Sequence, residues 1–256
     1  MHTILSGILQ IIWLVSAAQS DYRQAVRLLE ARDLKGAASA AQRALAADPA
    51  YVPAIALMAR IEMASGNLDG AEKRLRAGVA SHGADTSLRF LLGFCLYLRN
   101  DFDGALDALS HADSLDPNVI LYRALSSEGL GREESAITLY RQAIAMSKSV
   151  EPRLALARLL RKEGDLNASA VLIDEAYVTE PASREVLYEK GQSLFAAGDA
   201  VHAAEFGEKA LAADGEAPSE REIRYLLVRA YTKSGDLSRA AHHREAFEKL
   251  PLPLVR

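Results

Sequence analysis

Small residues recur along this chain at a fixed interval, and leucines, alanines and charged groups fill the positions between them. A turn of the type Gly-Asp-Leu is followed by an alanine and, in several copies, by a proline about a dozen residues later. The phrase reads RDLKGAASAAQRALAADP at 32–49, GNLDGAEKRLRAGVASHG at 66–83 and NDFDGALDALSHADSLDP at 100–117. It returns as GREESAITLYRQAI at 131–144, GDLNASAVLIDEAYVTEP at 164–181, GDAVHAAEFGEKALAADG at 198–215 and GDLSRAAHHREAFEKLP at 235–251. The anchoring residues Ala37, Ala71, Ala105, Ala136, Ser169, Ala203 and Ala240 are spaced by 34, 34, 31, 33, 34 and 37 residues. In most of these turns Gly or Asn ends one helix, and a nearby Asp or Glu favours the N-terminus of the next.

An internal period of this length defines the architecture before any other feature does. Period and pattern resemble the tetratricopeptide repeat family over residues 18 to about 251, in about seven copies. The family's small residue of the first helix falls on Ala25, Ala59, Gly93, Ala124, Ala157, Gly191 and Val228. That of the second helix falls on Ala44, Gly78, Ala112, Ala143, Ala176 and Ala210. The resemblance implies an all-α fold, a right-handed α-solenoid of antiparallel helix pairs with about 14 helices and one extra N-terminal apolar segment. Helices can approach closely only where no large side chain intervenes, and leucines such as Leu92, Leu96 and Leu109 fill the remaining gaps. The expected domains are residues 1–18, a single solenoid of seven repeats at 19–251, and a tail at 252–256.

Two intervals are irregular. The 31-residue one predicts the loss of about one turn from the first helix of the fourth repeat, around Asn118 to Gly129. The 37-residue one predicts a longer polar loop at 214–221, DGEAPSER, which a surface tolerates easily. Arg244 and Phe247 stand where earlier repeats generally carry smaller residues, which suits a terminal cap.

The first residues, MHTILSGILQIIWLVSAAQS, contain no Lys, Arg, Asp or Glu. An apolar core from Ile8 to Val15 followed by Ser16-Ala17-Ala18 suits a cleaved secretory signal, although no basic residue precedes it. An uncleaved membrane anchor stays open, as does a helix capping the first repeat through Ile4, Ile8, Ile11, Ile12 and Val15. The signal reading places the protein outside the cytoplasm, in a periplasmic or other extracytoplasmic space. The alternatives are a membrane-anchored or a cytoplasmic chain. No cysteine lies near residue 18, so a lipid anchor there is set aside, unlike several envelope members of the family.

Composition adds exclusions. With 30 Lys+Arg against 34 Asp+Glu the formal charge is −4, which supplies no basic field for nucleic acid. The single cysteine, Cys95, excludes an internal disulfide and reads as a small embedded apolar residue. Adjacent His242 and His243 project about 100° apart on a helix and read as solvated imidazoles rather than metal ligands. The sequon Asn167-Ala168-Ser169 is discounted because Ser169 occupies a packed small position. No catalytic residue, metal site or cofactor is expected.

The resemblance also implies that first helices line a concave surface for peptides or partner helices. Projected onto this chain, the early lining is Tyr22, Val26, Arg60 and Met63, and the middle is Phe90, Phe94, Tyr97, Leu121 and Leu125. The late lining is Arg158, Arg161, Lys162, Tyr188, Gln192 and Phe195, followed by Tyr225, Arg229 and Lys233. Phe90, Phe94 and Tyr97 fall on one helical face, and basic residues enrich the later part. Aromatic and arginine side chains are common interface anchors, which favours a binding face over the alternative that some aromatics only pack between neighbouring repeats. The implied partner is a protein or peptide with apolar anchors and some acidic character. No nucleic acid is expected, and membrane contact only through residues 1–18. The Lys and Asn that chaperone-binding members carry at two first-repeat positions are here Tyr22 and Val26, which disfavours a chaperone-tail adaptor.

Overall fold

The computed structural model describes residues 17–251, all of it helices and short connections. The expectations for most of the apolar leader and for the 252–256 tail lie outside the described residues. Fourteen helices form seven antiparallel pairs. The first helices are α1 (17–30), α3 (Val52–Ala64), α5 (Thr86–Leu98), α7 (Pro117–Gly129), α9 (Glu151–Lys162), α11 (Arg184–Ala196) and α13 (Glu220–Ser234). Their partners are α2 (Leu34–Ala47), α4 (Leu68–Ser81), α6 (Phe102–Ser110), α8 (Glu133–Met146), α10 (Leu166–Thr179), α12 (Ala200–Ala212) and α14 (Leu237–Lys249). The chain divides into two compact halves, with the boundary between Leu139 and Tyr140 inside α8.

One turn, repeated seven times, sets this architecture. Each pair is joined through a residue with positive φ: Arg32, Gly66, Asn100, Gly131, Gly164, Gly198 and Gly235. In six of the seven the next residue is Asp or Asn, and its side chain accepts the backbone N–H three positions on, as Asp33 does from Gly36 and Asp199 from His202. A left-handed residue stops the first helix and an N-cap restarts the chain in the opposite direction.

The period-34 small residues are the contact points. Ala25, Ala59, Ala124 and Ala157 on first helices are fully buried, as are Ala37, Ala71, Ala105 and Ala203 on second helices. A Cβ on Gly93 would lie 2.5 Å from Leu109 Cγ and 3.2 Å from the Ala105 carbonyl, so only glycine fits between α5 and α6. Cys95 and Ser169 behave as small core residues: Cys95 is fully buried, and the Ser169 hydroxyl donates to the Ala157 carbonyl at 2.8 Å. In the last repeat the first-helix position is Val228, which stays half-buried.

The two irregular intervals have different outcomes. The longer one is a loop at 213–219, tied down by Arg184, whose guanidinium donates to the carbonyls of Pro218 (2.9 Å) and Ala213 (3.0 Å). The shorter one does not fall where the sequence placed it. α7 keeps 13 residues, the same as α5, whereas α6 has 9 where α2 and α4 have 14. Pro117 explains this. It lacks an N–H and fits only in the first turn of a helix, so α7 begins there, capped by Asp116, and the missing residues come out of α6, whose exit at 111–116 is longer than those at 48–51 and 82–85.

Candidate partner-binding faces

Within each half, first helices of successive pairs touch: α3 with α5, α5 with α7, α9 with α11 and α11 with α13. Second helices make no comparable contacts among the described pairs, so the first helices form the tighter, inner side of each half.

In the N-terminal half this side is aromatic. Phe90, Phe94 and Tyr97 lie on α5, all half-buried, and α7 inserts Tyr122 among them. Ring centroids are 4.7 Å apart for Phe94–Tyr122, 5.4 Å for Tyr97–Tyr122 and 6.0 Å for Phe90–Tyr122, the tilted and edge-on arrangements that ring quadrupoles favour. Tyr22 sets its edge on Tyr51 at 5.7 Å, Val26 and Met63 lean on the core, Arg60 is exposed and Leu125 is half-buried.

Leu121 requires a correction. It was expected to line the face and is instead 2% exposed, inside the core. Leu121 and Tyr122 are neighbours on α7, and the two positions sort by chemistry: the hydrocarbon side chain is buried, and the hydroxyl-bearing ring takes the half-exposed place.

In the C-terminal half the inner side is charged, and most of its charge is internally matched. Arg158 reaches Glu185 at 2.8 Å and Glu189 at 3.3 Å. Arg161 reaches the other oxygen of Glu189 at 2.8 Å. Glu189 is only 4% exposed, so these two arginines are the counterions of a buried carboxylate rather than free binding groups. The sequence held the signal, because Glu185 and Glu189 stand four apart on the first helix of the repeat after Arg158 and Arg161, so they share one face. Further along, Tyr188 accepts a 2.6 Å hydrogen bond from Gln192, and burial pushes its phenol pKa up.

Arg229 and Lys233, at the far end of this side, make no ion pair among the described residues. Arg229 lies over the Phe195 ring at 4.3 Å and Lys233 over the same ring at 5.1 Å. Tyr225, 52% exposed, flanks Arg229 at 5.5 Å and faces Phe247 of α14 at 6.2 Å. Lys162 is exposed near the end of α9.

The histidine pair also departs from expectation. His242 is exposed, but His243 is 4% exposed and fixes α14 to the fold. Its Nε2 lies 2.9 Å from Glu208 Oε1 and its Nδ1 lies 3.2 Å from Arg224 Nη1. A guanidinium only donates, so Nδ1 must accept and the proton must sit on Nε2, directed at Glu208; this neutral tautomer is assigned from the geometry. Tyr231 stacks on the imidazole and donates to the same Glu208 oxygen at 2.9 Å. Adjacent residues on a terminal helix look equally solvated in a sequence; only the partner helix decides which one turns inward.

On the second-helix side of the N-terminal half, a cleft of about 620 Å³ is walled by residues of α2, α3 and α4. Its charged wall is the pair Glu62–Arg74, held by two hydrogen bonds of 2.7 and 3.0 Å.

Comparison with known proteins agrees with this geometry. Tetratricopeptide-repeat models match residues 28–88 and 154–218. The chain belongs to the tetratricopeptide repeat family. No curated protein matches it significantly in sequence. Among solved structures it is similar to a tetratricopeptide repeat protein from Parabacteroides merdae, with 16% identity, 93% of this chain and 95% of that one covered, and a TM-score of 0.70. It is also similar to PilW, a widely conserved type IV pilus biogenesis factor, with 18% identity, coverage of 82% and 98%, and a TM-score of 0.73. Pseudomonas aeruginosa PilF follows at 19% identity, coverage of 77% and 91%, and a TM-score of 0.66. At these identities the likeness establishes the fold.

Proposed function

We propose that this protein is a non-enzymatic scaffold that holds partner proteins against the inner, first-helix faces of its repeats, with residues 19–251 acting as one seven-repeat array. The observation that carries the reading is where the unburied binding chemistry lies. Half-exposed Phe90, Phe94, Tyr97 and Tyr122 form a contiguous aromatic surface on one half, and Tyr225, Arg229 and Lys233 are exposed on the other. Such side chains supply large contact area or several donors with few rotors to freeze. A partner segment with apolar anchors and acidic residues fits both surfaces.

The test compares proteins captured in the native cell by wild type and by Phe94→Ala/Tyr97→Ala. Loss of a specific set, with helical circular dichroism preserved, is the expected result. An unchanged set would sink the groove reading.

We further propose that residues 1–18 export the chain, on the strength of the apolar core and small-residue boundary. The fold likeness to PilW and PilF is consistent with a role in envelope assembly. Mass spectrometry of the cellular protein tests this. Cleavage removes Trp13, the only tryptophan, so an exported product shows no indole fluorescence, whereas an intact N-terminus with indole emission overturns cleavage.

A further inference from the structure

Building on that scaffold reading, we propose that, on the inner face of the C-terminal half, recognition of acidic side chains in the bound protein segment is confined to Arg229 and Lys233 on α13, seated on the Phe195 ring of α11. Other cations on the first helices of this half are already neutralised. Arg158 and Arg161 share Glu185 and Glu189, Arg153 reaches Glu175 at 3.3 Å, and Lys190 is paired with Asp174. Arg229 and Lys233 make no ion pair among the described residues, and both are exposed.

Their own helix does not compensate them. Arg229 and Lys233 are four residues apart, so two like charges share one face of α13 and repel. The carboxylate two turns earlier, Glu222, is occupied: its Oε2 accepts from Ser219 N at 2.8 Å and Ser219 Oγ at 2.7 Å, closing a capping box. The helix dipole accounts for Lys233, which lies in the last turn, but not for Arg229, which lies outside it. A cation over an aromatic face at an exposed site is weakly attracted by the ring quadrupole, which holds the pair in place without quenching its charge. An incoming carboxylate relieves the repulsion and completes both donors.

The occupant is an acidic stretch of protein with apolar neighbours, because the cations stand beside ring surface, Phe195 beneath them and Tyr225 alongside. Side-chain carboxylates fit this open ledge. A chain-terminal carboxylate is normally held by donors converging on it from several sides, and these two stand on a single helix.

The experiment selects short peptides from a random display library on wild type, on Arg229→Gln/Lys233→Gln and on Arg158→Gln, each checked for helical circular dichroism. Wild type should enrich Asp and Glu beside Leu or Phe. A synthetic representative of the enriched peptides should bind the double variant about tenfold more weakly at low salt. It should bind Arg158→Gln as it binds wild type, and amidating its C-terminus should change nothing. Acidic enrichment that survives on the double variant overturns the proposal, as does an equal loss on Arg158→Gln. Binding abolished by amidation would make a terminal carboxylate the ligand, and displacement of the peptide by an oligothymidylate would make the occupant a nucleic acid; either result also overturns it. If wild type selects apolar peptides without acidic enrichment, and these are lost on Phe94→Ala, the scaffold reading stands and the acidic ledge falls. A library that yields no binder on wild type removes both.

Discussion

The two halves use one repeat, and each presents a different chemistry on its own first-helix side. In the N-terminal half, Phe90, Phe94, Tyr97 and Tyr122 stack across α5 and α7, and the surface they leave is apolar. In the C-terminal half, the equivalent positions hold a buried carboxylate with its two arginines, and beyond it two cations on a phenyl ring. The repeat fixes where first-helix side chains project. It leaves open whether they cohere by stacking, by ion pairing, or stay free for another molecule. A position that looks like a binding residue by repeat number is therefore one only if no neighbouring helix has already engaged it. Arg161 shows this: its guanidinium stabilises Glu189, so an alanine there tests folding rather than partner capture.

The largest expected difference between the halves follows from that ion pair. Arg161→Ala leaves Glu189 buried with only the partly exposed Arg158, and breaking a buried pair on one side costs about 3–5 kcal/mol. Urea unfolding should show the loss, and restoring it with Glu189→Gln in the same chain should recover part of it. A change below about 1 kcal/mol would mean the pair is solvated and the contrast between the halves overstated.

The N-terminal half answers with a steric effect instead. Gly93→Leu places side-chain atoms inside the space of Leu109 and should cost about 1–3 kcal/mol or more by overpacking. Because each repeat contacts mainly its neighbours, hydrogen exchange should report the loss around α5 and α6 first. Uniform loss across both halves would contradict that locality.

Acidification should separate the halves again. Burial holds the His243 imidazole below its ordinary value of 6.5, with Glu208 pulling in the other direction. The unfolded chain therefore takes up a proton before the folded chain does. The stability tied to neutral His243 is complete above 6.5 and declines as the pH falls through the window beneath it. Amide exchange in α14 should accelerate over that window, while α5 and α7 stay protected. His243→Gln, which cannot titrate, should flatten the response; an equally steep one in the variant would assign it elsewhere.

The smallest effect concerns the turns. Arg32 has φ 60 where five of the other turns use glycine, so Arg32→Gly should stabilise the chain by up to about 1 kcal/mol in thermal melts. The same exchange at Asn100, also at φ 60, should gain less, because asparagine tolerates that region better.

Much of the fold was readable because a 34-residue period repeated seven times averages out local ambiguity, and the small residues at its nodes have no other physical reason to recur. The longer loop after α12 was readable for the same reason, since three residues beyond the period, in a mostly polar stretch, have nowhere to go but a surface loop. The short interval was misplaced because a spacing between anchors does not say which helix gave up its residues; Pro117 held that information. Among the candidate site residues, Phe90, Phe94 and Tyr97 share one face as their spacing of four and three required. Tyr122 rather than Leu121 takes the half-exposed place because one residue along a helix is about 100° around it, and the choice between them is made by what packs opposite.

By itself the sequence determined the period, the turn chemistry and the helical pairing, since those depend on residues close together in the chain: a left-handed stop, an Asp or Asn cap, an alanine at the contact. Only the tertiary structure decided which charges are still available. Glu189 finds Arg158 and Arg161 on a different helix, and His243 finds Glu208 and Arg224 on two others. Electrostatic pairing depends on distance in space, and positions some thirty residues apart become neighbours only once the repeats have stacked.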